Sequence, residues 1–284
     1  VGLVTRYSSA EAIALSRRLE RALTRRGLEV IHDLESAPAR RGRGGAPRNQ
    51  MARLVDLIVT LGGDGTLLSV ARHPARDVPV LGIDIGTLGF LTACGPDEYE
   101  PVLEAALKGE AWLERRRLLS VTVADPGKPK RRYRVVNDAV LAKSALARIA
   151  AIRVEVDGVI VSRYRGDGVI VSTPTGSTAY NLSAGGPILT PTMPALVLTP
   201  ICPHTLSLRP VVLPDTVKLD LAVEEDPTGV FLTLDGQEGF PVAGATRISI
   251  VRAPDLVPLV RTHSFFEVLS GKLSFGGERE NAAR

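Results

Sequence analysis

The stretch Leu61-Gly62-Gly63-Asp64-Gly65-Thr66 decides how the first half of the chain reads. An apolar run, Leu54 to Leu61, leads into it, and Leu67-Leu68 follow Thr66. That order predicts a buried strand, a tight turn and the start of a helix. The glycines allow positive φ and let backbone N–H groups come close to a ligand. The N-terminus of the helix that follows is a natural place for phosphate. Asp64 is then the lone acid in a loop suited to anions. A carboxylate there has two candidate tasks, taking a proton from a hydroxyl or ligating magnesium. A βα turn that merely uses glycine is the plainer reading of the same residues.

On the N-terminal side, Val1 to Thr5 reads as a strand, and Ser8-Ser9-Ala10-Glu11 has the spacing of a capping box. Ile13, Leu15, Leu19 and Leu23 mark one face of a helix ending at Gly27, and Leu28 to Ile31 reads as a second strand. The segment from Ala37 to Asn49, with Pro38, Arg40, Arg41 and Arg43, reads as a surface loop, its arginines solvated or folded over phosphates. On the C-terminal side, Val78 to Ile83 is a further buried strand leading into Asp84-Ile85-Gly86-Thr87-Leu88-Gly89-Phe90-Leu91, and Asp97 to Lys108 is a helix. Strands alternating with helices predict a Rossmann-like open parallel sheet over residues 1–115.

From about Arg115 the pattern changes to short alternating strands. Asp125-Pro126-Gly127 and Asp157-Gly158 are hairpin turns, and Pro227-Thr228-Gly229 is a third turn. Residues 116–260 are expected to form an all-β sandwich. The tail, residues 261–284, carries Phe265-Phe266 and Val268-Leu269, and is expected to pack back on the N-terminal domain as a short helix. The fold class is thus α/β followed by all-β.

The chain has 284 residues and a formal charge of +4, a modest excess that suits a phosphate-rich ligand. No basic helix interleaved with aromatics points to nucleic acid. Cys94 and Cys202 are far apart, and the four histidines lack ligand spacing, which argues against a disulfide framework or zinc. No apolar run reaches the ~18 residues of a membrane span, and the first residues read as a strand rather than a leader. A cytoplasmic protein is expected.

A second constellation starts at Arg165-Gly166-Asp167-Gly168. After the strand Val169 to Val171 comes Ser172-Thr173-Pro174-Thr175-Gly176-Ser177-Thr178-Ala179-Tyr180-Asn181-Leu182-Ser183. So many small hydroxyls are poor material for a core. They suit a pocket that reads a nucleoside, with Gly176 giving backbone access and Tyr180 covering a base. A turn-rich surface loop is the alternative. Asn137-Asp138, at a strand end, can hold a ribose diol or form a common turn.

Leu61 to Thr66, Asn137-Asp138 and above all Arg165 to Pro187 resemble the NAD kinase family. Leu81 to Leu91, Pro200 to Pro210, Asp235-Gly236-Gln237 and the Phe265 to Gly277 tail fit too, so the resemblance covers nearly the whole chain. The Gly62 to Thr66 loop is shared with diacylglycerol, sphingosine and phosphofructokinase-type enzymes. The Gly176 to Tyr180 motif is far more specific.

The resemblance implies transfer of the terminal phosphoryl group of ATP, or of polyphosphate, to the 2′-hydroxyl of the adenosine ribose of NAD. NADP is the product, and a divalent metal, magnesium, assists. It makes Asp64 the proton acceptor, and Gly62, Gly63 and Thr66 the phosphate loop. It places Gly65, Phe90, Asn137, Asp138, Arg148, Arg165, Asp167, Thr175, Thr178, Ala179, Tyr180, Asn181, Leu182, Ser183 and Gln237 at the nucleotide. No residue is assigned as a metal ligand. A homodimer or homotetramer is implied, with part of each NAD site supplied by a neighbouring subunit. Neither a nucleic acid nor a membrane is implied as partner. The chain departs from the family in two places: Asp84 stands where Asn is usual, and Asp138 where Glu is common. The rival readings are a lipid kinase of the same superfamily and a non-catalytic NAD or NADP sensor.

Overall fold

The computed structural model describes residues 1–36, 45–144, 149–205, 207–224 and 228–273. It divides into two compact units. The first comprises the chain up to Arg115 together with its return from Val257, and the second runs from Arg116 to Leu256.

The first unit is built on parallel strands. β1 (Gly2–Thr5) leads to α1 (Ala10–Arg25), β2 (Ile31–His32), α2 (Arg48–Leu54), β3 (Ile58–Leu61), α3 (Asp64–Ala71), β4 (Val80–Ile83) and α4 (Tyr99–Lys108). The strand order is β2-β1-β3-β4, with β1, β3 and β4 in register from Gly2↔Ile58 and Ile58↔Val80. β1, β3 and β4 are buried along their whole length, which is why they read as unbroken apolar runs rather than alternating ones. α1 lays Leu15, Leu19 and Leu23 on this sheet, as its 3.6-residue spacing predicts.

Three local expectations need correcting. The helix cap is Ser9, which accepts from Ala12 N at 3.2 Å, and not Ser8. The second strand is two residues long and starts at Ile31. The residues before it are consumed by the exit from α1, where Leu28 N bonds Leu23 O at 3.1 Å. The end of the supposed loop is helical from Arg48, because Met51 and Ala52 are buried. Residues 37–44, with the arginines of that loop, lie outside the described residues.

The second unit is antiparallel. It contains β5 (Leu113–Ala124), β6 (Arg131–Val135), β7 (Asp138–Lys143), β8 (Ala150–Val156), β9 (Val159–Gly166), β10 (Gly168–Ser172), α5 (Tyr180–Ser183), β11 (Ala195–Ile201), β12 (Val211–Pro214), β13 (Leu219–Val223), β14 (Val230–Leu234) and β15 (Glu238–Pro241). β16 (Arg247–Val260) follows, and α6 (Phe265–Leu273) ends the described chain. Six strands form one sheet in the order β12-β11-β10-β7-β14-β15. A second antiparallel set runs β9-β8-β13 to the start of β16. One core joins the inner faces of both, with Leu141, Val171 and Leu232 from the first set and Ile152, Leu221 and Ile250 from the second. Asp157 and Gly158 both have positive φ, as the tight hairpin between β8 and β9 requires.

Candidate active site

Asp64 is the first residue of α3, placed there by the turn that follows β3. Its carboxylate is half-buried and receives backbone N–H groups from three successive residues of the turn after β4. Phe90 N donates to Oδ2 at 2.9 Å, and Leu91 N and Thr92 N donate to Oδ1 at 3.0 and 3.3 Å. A carboxylate has about four lone-pair positions. Both on Oδ1 are taken, and one on Oδ2 is left for a further donor. Gly89 makes this contact possible, since a Cβ there would fall 1.9 Å from Asp64 Oδ1.

Asp84 sits beside this clamp, buried. Its Oδ2 accepts from Gly89 N and Thr92 Oγ1, both at 3.1 Å. Burial pushes its pKa up, opposed by the Thr92 hydroxyl and reinforced by the charge of Asp64. The acid that stands where the family usually has Asn is thus shifted toward its neutral form, by burial first. Phe90 is half-buried, with Phe265 of α6 6.3 Å away and the Lys272 ammonium 5.6 Å from its ring centre. Gly62, Gly63, Gly65 and Thr66 lie together at the entry to α3.

The second unit gathers most of the other expected residues. Asn137 and Asp138 stand at the start of β7, and the turn of 3-10 helix from Thr175 to Thr178 packs against them. Gly176 is what allows that approach, because a Cβ would meet Asn137 O at 2.2 Å. Its small size serves the protein's own backbone here, and not only a ligand's access.

The hydroxyls of Ser172 to Ser183 divide in an unexpected way. The residues that composition alone makes poor core material are largely buried and satisfied internally. Thr173 Oγ1 donates to Val136 O at 2.6 Å and accepts from Gly176 N. Ser177 Oγ donates to Pro174 O and accepts from Leu189 N. Asn181 is wholly buried; its Nδ2 reaches Ser177 O and Pro187 O, and its Oδ1 takes the Thr199 hydroxyl at 2.6 Å. Its amide therefore has a scaffolding task. Thr175 is buried, its Oγ1 receiving Arg116 Nη1 at 3.4 Å. Thr178, Ala179 and Leu182 are half-buried, and Ser183 and Tyr180 are exposed, the latter by 46%. Arg165 is the next-to-last residue of β9 and is exposed, while Asp167 sits between β9 and β10 with Lys143 Nζ 3.4 Å from its Oδ1. Arg148 lies outside the described residues.

Asp235 is the residue the sequence reading left without a role. With Gly236 it makes the tight turn between β14 and β15, both at positive φ. Its buried carboxylate accepts from Val136 N, Asn137 N and Asp138 N, the Asn137 bond being 2.7 Å. It thus sets the backbone of the Asn137-Asp138 pair. Asp138 is buried next to it, and burial first, then the charge of Asp235, push the Asp138 carboxyl up to about 7. The Asp-Gly turn signal was visible in the sequence; the reach of its carboxylate was not.

The two halves each match a family model. Residues 1–111 match the ATP-NAD kinase N-terminal domain, and residues 136–262 match the ATP-NAD kinase C-terminal domain. The chain is 41% identical over 278 residues to an NAD kinase of Solibacter usitatus, covering 97% of each chain. This chain belongs to the NAD kinase family. It is a transferase that phosphorylates NAD. It is also 42% identical to an NAD kinase of Geobacter sulfurreducens over 257 residues, 89% of this chain and 90% of that one. Among solved structures, an NAD kinase from Archaeoglobus fulgidus in complex with ATP superposes with a TM-score of 0.75 at 28% identity, covering 95% of this chain and 96% of that one. Yeast NADH kinase complexed with NADH gives 0.88 at 24% identity, covering 100% and 89%, a likeness of fold. Neither the lipid-kinase nor the sensor reading gains support from these matches. Among the described residues no helix is long and apolar enough to cross a membrane.

Proposed function

We propose that Asp64 is the proton acceptor of an NAD kinase reaction that uses ATP. The observation that carries this reading is the carboxylate held by three backbone N–H groups with one lone pair of Oδ2 left over. That pair takes the proton of the ribose 2′-hydroxyl as its oxygen bonds to the terminal phosphorus. The bond from that phosphorus to the bridging oxygen breaks, ADP leaves and the proton rests on Asp64. Positioning and charge neutralisation carry most of phosphoryl transfer.

In the second unit, Asn137 and Asp138 bind ribose hydroxyls, and Tyr180, Thr178, Ala179, Leu182 and Ser183 line the nucleoside. We assign Asn181 and Thr175 to holding that segment in shape. Arg165, Asp167, Gln237, Gly65 and Phe90 remain nucleotide contacts by the resemblance, and Arg148 by the resemblance alone.

Among the described residues no group of three or more His, Cys, Asp or Glu side chains could hold a metal ion. Magnesium keeps its waters and is usually bound by one or two carboxylates together with the substrate's phosphates. No side chain is assigned as its ligand, the spare lone pair of Asp64 being used for the proton. When bound, the ion neutralises charge on the transferring phosphoryl group. A homodimer or homotetramer and a cytoplasmic location complete the reading, the latter supported by two unpaired cysteines, Cys94 and Cys202.

The test is NADP formation from NAD, ATP and magnesium, with polyphosphate as a second donor. Wild-type enzyme should form NADP. Asp64→Asn should form almost none yet still bind NAD. A near-normal rate in that variant would remove Asp64 from the role.

A further inference from the structure

Behind the turn that clamps Asp64 lies a buried cation, Arg261, which follows the end of β16 and is 3% exposed. Its Nη1 donates to Leu91 O and to Thr92 O, both at 3.0 Å. Its own N–H is tied to Trp112 O at 2.9 Å, and the neighbouring Thr262 hydroxyl donates to Ala93 O. Among the described residues its Nε has no hydrogen-bond partner. A guanidinium so buried is costly unless something nearby repays it. The negative charges that favour it are those of Glu114 and then Asp64.

The geometry links these groups through one amide. Leu91 O and Thr92 N belong to the same planar peptide unit. Arg261 donates to the oxygen of that unit, and the N–H of that unit donates to Asp64 Oδ1. A cation on the carbonyl side and an anion on the N–H side polarise the amide in the same sense, which strengthens both bonds.

We infer that Arg261 is a positioning residue for Asp64, fixing the carboxylate through the Leu91-Thr92 peptide so that Oδ2 keeps its aim. The inference rests on the proposed role of Asp64. Arg261 is placed to touch neither NAD nor ATP in this account, so its loss should appear in kcat and not in substrate affinity. A purely structural role would instead lower the amount or stability of folded protein and leave the kcat of what remains intact.

The experiment is steady-state kinetics on Arg261→Met and Arg261→Lys, with folded fraction and thermal midpoint measured on the same samples. Arg261→Met should lower kcat by about 10²-fold, the scale of a small misplacement at the reacting centre, with KM for NAD within about twofold. Arg261→Lys returns the charge and a donor, and should recover about tenfold of that loss, because misaimed charge-assisted bonds keep part of their strength. In an Asp64→Asn background, Arg261→Met should cost nothing further. If Arg261→Met does not fold, Arg261→Lys decides: a kcat about tenfold below wild type at unchanged KM supports the inference on the same scale. A kcat within about twofold of wild type in folded variants, or a loss confined to KM, overturns it. If Asp64→Asn itself keeps its rate, the reading of Asp64 fails first; if only the Arg261 variants keep theirs, this inference fails alone.

Discussion

Each unit contains an aspartate whose carboxylate collects backbone N–H groups from three successive residues: Asp64 from Phe90 to Thr92, and Asp235 from Val136 to Asp138. In each case a second buried acid stands near it and has its pKa raised partly by the first one's charge, Asp84 beside Asp64 and Asp138 beside Asp235. The bonding is alike and the exposure differs. Asp64 is half-open at the head of a helix, whereas Asp235 is buried in a hairpin turn. The same three-donor cradle thus serves as the mount of a reactive group in one place and as a backbone brace in the other. The second acids differ too. Asp84 has the Thr92 hydroxyl and Gly89 N–H to oppose its rise, while the causes of the rise at Asp138 all point one way.

If the two cradles do different work, substitutions in them should separate rate from stability. Asp64→Asn is expected to lower kcat by about 10³-fold, within the range for loss of a general base. Its denaturation midpoint should stay close to wild type, and a large loss of stability there would make the two aspartates equivalent. The next effect is in pH. The folded Asp138 carboxyl holds its proton up to about 7, against the ordinary 3.8 of a solvated aspartate. The native chain then binds more protons than the unfolded one between those values, so this group's contribution to stability is fully present below about pH 4 and is lost as pH rises to about 7. At 1.36 kcal/mol per unit the full contribution is of order 4 kcal/mol, shared with the coupled Asp235. Chemical denaturation of Asp138→Asn across that window should show a flatter profile; an unchanged slope would place the proton elsewhere. Asp235→Ala leaves two buried N–H groups and one half-buried one without their acceptor and should cost about 2–3 kcal/mol in urea denaturation, since each buried group costs about 1 kcal/mol or more. Its kcat per folded molecule should fall far less than that of Asp64→Asn. The smallest effect is expected for Thr199→Val, which removes the donor to Asn181 Oδ1 and should cost about 1 kcal/mol, with KM for NAD moving more than kcat.

What could be read from the sequence was what local order fixes. The Gly62 to Thr66 loop, the parallel strands around it and the hairpin at Asp157-Gly158 each depend on residues a few positions apart. The partners of Asp235 lie 97 to 99 residues away, and those of Arg261 169 and 170 residues away. No periodicity reports such pairings. The Ser172 to Ser183 segment shows a different limit. Composition reveals that hydrogen bonds will be made, but not whether the acceptor is a ligand or the chain's own carbonyl. Ser177 and Asn181 turned inward, while Tyr180 stayed out. The start of α2 was masked by the loop-like residues before it, and only the burial of Met51 and Ala52 marks it as helix.

The bond from Arg261 N to Trp112 O has a practical side. Trp112 is the single tryptophan of the chain, is 50% exposed and belongs to the first unit. Its emission is therefore a built-in reporter for the half that carries Asp64. An unfolding curve followed by tryptophan fluorescence describes that half, while far-UV circular dichroism follows both. The gap between the two curves would measure how cooperatively the halves melt, without a label being attached to either.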